Sequence, residues 1–399
     1  MIKSLKILYD NQIFVTQEYG GVSRVFYELI KNLAEKEEIK IFLFHGLHIN
    51  HFPLGDLKKK MAFYFGKQIP LLPYTAKFLR VFNTVLFDLF KPYKKIDIFH
   101  PTDYSPAVLR WKKSPLVVTV YDMIYEIYPH FFKDLNIISR IERKKKCIER
   151  ADRIITISYS TRNDLLTFYN VDEKKVSVIY PGVPLPGEDE INQMFLQGAH
   201  GASFFNKRLP VRRRQSNFTA HKKPFILYVG NRKRGYKNFK NLLMAFASNK
   251  RINREFDLLC FGGGAFTKDE MYLIMELSCK DNVFQISGDD DILGQLYMRA
   301  RALVYPSLYE GFGLPPLEAM VYKCPVIASN VSSIPEVLGE AAFYFDPYGP
   351  ASISLSIEKV LFDDANVQDL IKKGAKQVKK YSWSKMAEET YQIYNELRR

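Results

Sequence analysis

The 399-residue chain has little cysteine and no long apolar run. Its four cysteines, Cys147, Cys260, Cys279 and Cys324, are scattered, with no C-x-x-C pair and no matched spacing. That excludes a disulfide frame or a cysteine-held zinc site, and predicts buried, inert thiols in a reducing cytosol. The longest greasy stretch, "TVLFDLF", falls far short of the roughly 18 apolar residues a spanning helix needs. The start, "MIKSLKILYD", passes straight from lysines into a strand-like run, without the apolar core and cleavage site of a signal peptide. His45, His48 and His51 stand three apart in an expected loop after "IKIFLF". They lack the Cys, Asp or Glu partners of a four-ligand site, so no metal is expected there. A Walker-type phosphate loop is missing as well.

What the chain does have is positive charge and alternation. A net charge of +15 implies an anionic partner, and leaves nucleic acid, a phosphorylated ligand and an anionic lipid surface open. The basic residues are not clustered in any recognisable nucleic-acid module, which argues against the first. Short β-branched and aromatic runs alternate with helix-period segments, the pattern of a parallel sheet wrapped in helices. The first half offers "KILY", "KIFLF", "IDIFH", "PLVVTVYD", "RIITIS" and "VSVIYPG" as strands. The second offers "FILYVG", "FDLLCFG", "NVFQIS", "ALVYPS", "PVIASN" and "AFYFDP". Two doubly wound α/β domains in tandem follow, over 1–182 and 224–380, with a linker and insertion at 183–223. The last segment, 381–399, reads as a helix that completes the first domain. "SRVFYELIKNLAEK" places Val25, Phe26, Leu29, Ile30 and Leu33 on one helical face.

In such sheets ligands bind beyond the carboxyl ends of the strands, so a cleft between the two domains is the expected site. After "KILYD", Gly20 and Gly21 precede a helix, and either admit a ligand close to the backbone or simply make a tight turn. After "FILYVG", Arg232 and Lys237 suit a diphosphate, as fork and point charge, unless the loop is merely a solvated basic one. "FGGG" then permits close backbone approach at Gly263. After "ALVYPS" comes "LYEGFGLPPLEAM". Prolines in its first turn start a helix, with Glu310 before it and Glu318 just inside. The amides of Gly311, Phe312, Gly313 and Leu314 lie where negative charge is favoured. Carboxylates are acceptor-only groups suited to gripping sugar hydroxyls. The order therefore matches a sugar, a diphosphate and a ribose in a row.

The run from Glu310 to Glu318 resembles the paired-glutamate signature of retaining glycosyltransferase family 4, of the bacterial surface-polysaccharide type. Its members have the GT-B fold, two Rossmann-like doubly wound parallel-sheet domains facing across a cleft. Similarity extends along almost the whole chain, through "GGVSR", "TVYDMIYEIYP", "RIITISYSTRNDL", "VIYPGVP", "YVGNRKRGYKNF" and "SNVSSIPEVLGEAAFYFDP". The resemblance implies transfer of a hexose from a nucleotide-diphosphate sugar, with GDP-mannose the leading donor, and neither cofactor nor metal. It implies that Glu310 touches the donor sugar, Glu318 the ribose, and Arg232 and Lys237 the diphosphate. The loop of Gly20, Gly21 and Arg24 would lie near donor and acceptor. Where the family has His-Asp after its fourth strand, this chain has Tyr121-Asp122. A phenol does not titrate near neutrality, so Asp122 is the expected active-site group. His100, closing "IDIFH", is either a nearby imidazole or a packed strand-end histidine.

Residues 56–95 interleave aromatics with nine Lys or Arg. That mixture suits peripheral association with an anionic membrane on its cytoplasmic face, and a glycan or polyprenyl-linked acceptor; solvated helix surfaces are the alternative. A sugar-nucleotide epimerase-like enzyme and a non-catalytic nucleotide-sugar binder remain rival functions.

Overall fold

The structure is a computed structural model that describes residues 4–70, 75–89, 96–104, 106–111, 114–132, 137–184 and 223–398. The linker expected at 183–223 falls almost wholly outside these, as do Lys91, Lys94 and Lys95. The chain divides into two compact units, Met1–Gly182 with Tyr381–Arg399, and Val183–Lys380.

In the first unit β1 (Leu5–Tyr9), β2 (Ile39–His48), β3 (Phe63–Gln68) and β4 (Ile98–Phe99) form a sheet of order β3-β2-β1-β4. A second sheet, β5 (Val117–Val120), β6 (Arg153–Thr156) and β7 (Val176–Val178), joins it through a bridge between Phe99 and Leu116. All pairings are parallel, with Ile7 opposite both Ile41 and Ile98. Among the described residues, seven strands therefore stand where six were expected. The additional one, β3, is a half-exposed edge strand that pairs only with β2, so it carries no continuous apolar run. β2 also runs further than expected, placing His45 and His48 in the strand rather than in a loop. A bulge at Gly46 (φ +63°) permits this, and Asn83 bonds both N–H and C=O of Leu47 at 2.9 and 2.8 Å.

The helix Gly21–Leu33 buries the five apolar residues of its expected face. The C-terminal helix Trp383–Leu397 packs against it, burying Trp383, Met386, Ile393 and Tyr394. A Cβ on Gly182 would stand 2.2 Å from the Trp383 nitrogen, so only glycine fits where the chain passes under that helix.

In the second unit β8 (Phe225–Val229), β9 (Asp257–Phe261), β10 (Val283–Ile286), β11 (Ala302–Tyr305), β12 (Val326–Ser329) and β13 (Ala342–Phe345) form one parallel sheet of order β10-β9-β8-β11-β12-β13. These six strands are the six expected. β8, β11 and β12 are buried throughout, which is why they read as continuous apolar runs. Leu242, Leu243 and Phe246 of the helix Phe239–Ser248 meet Ile353, Ile357 and Val360 in the core beside the sheet. Both units thus have the doubly wound strand order. Each reverses direction once, between β1 and β4 and between β8 and β11, and ligands bind at such reversal points. All four cysteines are buried and unbridged.

Candidate functional site

The reversal point of the second unit gathers most of the candidate residues. Lys237 ends a short 3-10 turn after β8, and Glu310 follows β11. Lys237 Nζ lies 2.5 Å from Glu310 Oε1, with the two side chains 16% and 12% exposed. The ammonium also lies over the rings of Tyr236 and Tyr305, 5.4 and 5.6 Å from their centroids. The structure therefore brings a cation and a carboxylate from different strand ends into one charge-assisted contact.

Backbone clamps hold Glu310 in place. Its N–H donates to Ser332 Oγ at 3.0 Å, and its carbonyl accepts from Ser333 Oγ at 2.8 Å. Ser332 has φ +52°, a left-handed conformation that costs a non-glycine residue energy. Asn238, also left-handed at φ +56°, donates through Nδ2 to the carbonyls of Pro306 and Pro347 at 3.0 and 2.8 Å. It ties the β8 loop to the loops after β11 and β13. None of Asn238, Ser332 and Ser333 was assigned a role from sequence, because nothing in a lone Ser or Asn announces a left-handed backbone or a hydroxyl that reaches a distant loop.

Gly313 (φ +97°) turns the chain into the helix Leu314–Val321, whose first residues are Leu314 and two prolines. Glu318 sits inside that helix, with the Tyr297 hydroxyl donating to Oε2 at 3.4 Å. The layout of acidic group, helix start and second acidic group is thus that of the sequence.

Arg232 differs from expectation. Instead of presenting an open fork, its guanidinium is fully buried. It donates to the carbonyls of Gly262 and Gly264 at 2.5 Å each and to Glu270 Oε1 at 3.1 Å, stacked 4.6 Å from the Phe266 ring centroid. The physical reason is local. Gly262, Gly263 and Gly264 all have positive φ (+89°, +74°, +71°), which turns carbonyls that no sheet partner takes toward the arginine. Glu270 is positioned by its capping box with Thr267, whose N–H it accepts at 2.7 Å. Arg232 thereby acts here as the strut of the glycine loop that contains Gly263. The Tyr228 and Tyr305 hydroxyls are buried, the latter beside the Glu310 carboxylate. Burial raises the pKa of both phenols, and the Glu310 carboxylate raises it further.

In the first unit, Gly20 is extended and caps the helix Gly21–Leu33, with Gly21 exposed at its first position and Arg24 5.7 Å from the Phe52 ring centroid. Tyr121 and Asp122 follow β5. The Tyr121 hydroxyl is buried, and burial pushes its pKa far up. Asp122 Oδ1 accepts the N–H of Ile124 at 3.2 Å, while Lys144 Nζ donates to the Asp122 carbonyl at 2.5 Å and pairs with Glu126 at 3.1 Å. Lys144 is itself buried, and was not singled out from sequence. His100 proves to be the packed strand-end histidine. Its Nδ1 lies 2.5 Å from the Tyr394 hydroxyl and its Nε2 2.8 Å from Thr119 Oγ1, so no nitrogen is left to act on a ligand. Burial lowers its pKa to about 3.

Asp10, at the end of β1, was overlooked. Its Oδ1 accepts from the Thr102 N–H and hydroxyl at 2.8 and 2.7 Å, joining the loops on either side of the first unit's reversal point. Oδ2 is buried without a partner, and burial lifts the carboxyl to about 6. Among the described residues, no group of three or more His, Cys, Asp or Glu is arranged to hold a metal ion.

Comparison with known proteins agrees with this fold. Residues 19–185 match the family model "Glycosyltransferase Family 4", and residues 212–377 match "Glycosyl transferases group 1". O-antigen chain mannosyltransferase B of Escherichia coli is 28% identical over 390 residues, 94% of this chain and 95% of that one. A glycosyltransferase from Rickettsia africae superposes with a TM-score of 0.67 at 18% identity, covering 99% of this chain and 98% of the other. Anabaena Alr3699/HepE, solved in complex with UDP-glucose, does so with a TM-score of 0.68 at 15% identity, covering 98% and 100%. With the two halves matching the two family models in order, each on its own doubly wound sheet, the chain belongs to the family 4, group 1 glycosyltransferases and has the GT-B fold.

Proposed function

We propose that the chain is a retaining, metal-independent mannosyltransferase that moves mannose from GDP-mannose to a glycan or polyprenyl-linked acceptor in O-antigen or capsule synthesis. The observation that carries this reading is the contact of Lys237 with Glu310 at the reversal point of the second unit's sheet, beside the turn Gly311–Leu314. Lys237 can neutralise a diphosphate there while Glu310 accepts from sugar hydroxyls. As the glycosidic bond to phosphate breaks, negative charge grows on the leaving diphosphate, and fixed donors aimed at it lower the barrier. Lys237 and the amides of the helix start supply those donors, and Arg232 holds the glycine loop beside them. The mannose and O-antigen assignments are supported by the E. coli relative of near-equal length.

The acceptor side is supported by the helix Thr75–Leu89. Leu79, Asn83 and Phe87 are its buried face, yet Phe78, Val81, Phe82, Val85 and Leu89 form a second, exposed apolar stripe. Such a stripe on a chain of net charge +15 suits an anionic lipid surface. No helix among the described residues is long and apolar enough to cross a membrane.

The test is a panel of GDP- and UDP-linked hexoses, assayed for nucleotide release with lipid-linked acceptors. Release from GDP-mannose that depends on acceptor is the expected result; turnover of UDP-hexoses alone would overturn the donor assignment. Flotation with anionic vesicles is expected to carry the protein, and Val85→Asp to abolish it; a protein that stays in the pellet sinks the membrane reading.

A further inference from the structure

The contact between Lys237 and Glu310 has a consequence for which ligands the site prefers. This step rests on the reading of that site given above. The two charged groups meet at 2.5 Å and are mostly withdrawn from water, which makes theirs one of the stronger kinds of contact. Glu310 cannot drift away with its backbone, since Ser332 and Ser333 hold it on both sides. Lys237 keeps the faces of Tyr236 and Tyr305 as neighbours whatever Glu310 does. Only side-chain torsions can therefore break the pair.

A phosphate group that takes Lys237 must break it, and the released carboxylate then needs new hydrogen-bond donors or remains uncompensated. A bare nucleoside diphosphate brings acceptors alone to this spot; it satisfies the lysine and repels the glutamate. A nucleotide-diphosphate sugar brings hydroxyl donors directly beside the diphosphate and satisfies both. We propose that the Lys237–Glu310 pair is a selectivity device, disfavouring bare nucleoside diphosphate against the nucleotide sugar and so expelling the spent nucleotide after transfer. Once the sugar has left, Glu310 loses its hydroxyl donors and competes for Lys237 again.

The experiment is calorimetric titration of the wild type, Glu310→Gln, Lys237→Met and the double variant with GDP, UDP, GDP-mannose and UDP-glucose. Glu310→Gln is expected to bind the bare diphosphate roughly tenfold tighter than wild type, because the competing state is removed. It should also lose the preference for the sugar conjugate. Lys237→Met should weaken both ligands, and the double variant should show no gain over Lys237→Met. If Glu310→Gln binds the diphosphate no tighter while Lys237→Met weakens it, the selectivity device is wrong and the donor site stands. A gain that persists in the double variant also overturns it, since the effect would not pass through Lys237. If neither single variant alters binding of any nucleotide, the reading of the site fails and takes the device with it. Melting curves establish that each variant is folded; Glu310→Asp, which withdraws the carboxylate by one methylene, is the second variant and should move the same way.

Discussion

At the scale of single residues, Arg232 and Lys237 are both cations from one loop, yet they are held very differently. Arg232→Ala would strand Glu270 and leave the Gly262 and Gly264 carbonyls without their donor. Breaking a buried pair from one side costs about 3–5 kcal/mol, so this variant should lose stability as well as turnover. Lys237→Ala should cut turnover more than tenfold with a far smaller loss of melting temperature. Denaturation curves measured beside initial rates separate the two; equal stability loss in both would refute the strut role of Arg232. Three histidines set a pH dependence. Burial lowers His48 to about 4 and His100 to about 3, and it lowers His45 as well, which stacks on His48 with ring centroids 3.5 Å apart. These groups stay neutral in the fold, whereas unfolded histidine titrates near about 6.5. Their stabilisation is thus present above about pH 6.5 and is lost as the pH falls toward 4, by about 1–2 kcal/mol per histidine at pH 5. Asp10, raised to about 6, works the other way and regains part of that loss on acidification. The melting temperature of the first unit should fall between pH 7 and pH 5, and His48→Asn should flatten the fall; a flat wild-type profile would exclude this.

Among the elements, the glycine loop after β9 gives the sharpest test. Gly263 and Gly264 share positive φ, but a Cβ on Gly263 would sit 3.1 Å from the Arg232 nitrogen, while one on Gly264 meets nothing within 4 Å. Gly264→Ala should therefore cost only the left-handed backbone penalty, about 1–2 kcal/mol. Gly263→Ala should cost more and also displace the arginine, which activity assays would register as a larger loss. The glycines, both glutamates and both cations could be picked out beforehand because they fall in segments that follow apolar runs readable as buried strands. What escaped notice were the partners: Asn238, Ser332 and Ser333 act through backbone conformation and through contacts from distant segments. Local sequence leaves both readings of His100 open for the same cause. Its neighbours Tyr394 and Thr119 are 294 and 19 residues away.

For the whole molecule, the C-terminal helix belongs to the first unit although it follows the second in the chain. Tyr394 supplies hydroxyl contacts to Tyr9 and His100, and Trp383 sits on Gly182. Deleting 381–399 should abolish the calorimetric transition of the first unit and leave that of the second near its original temperature. Loss of both together would show that the units do not unfold independently. The two doubly wound units, the strands of the second unit and the order of candidate groups along the chain were all encoded locally, because buried parallel strands leave apolar runs and ligand loops must follow their carboxyl ends. Local sequence could not say whether a charged side chain faces ligand or protein. Arg232 turned inward, His100 was consumed and Lys237 met Glu310, because hydrogen-bond satisfaction inside a fold depends on which remote groups it brings within about 3 Å.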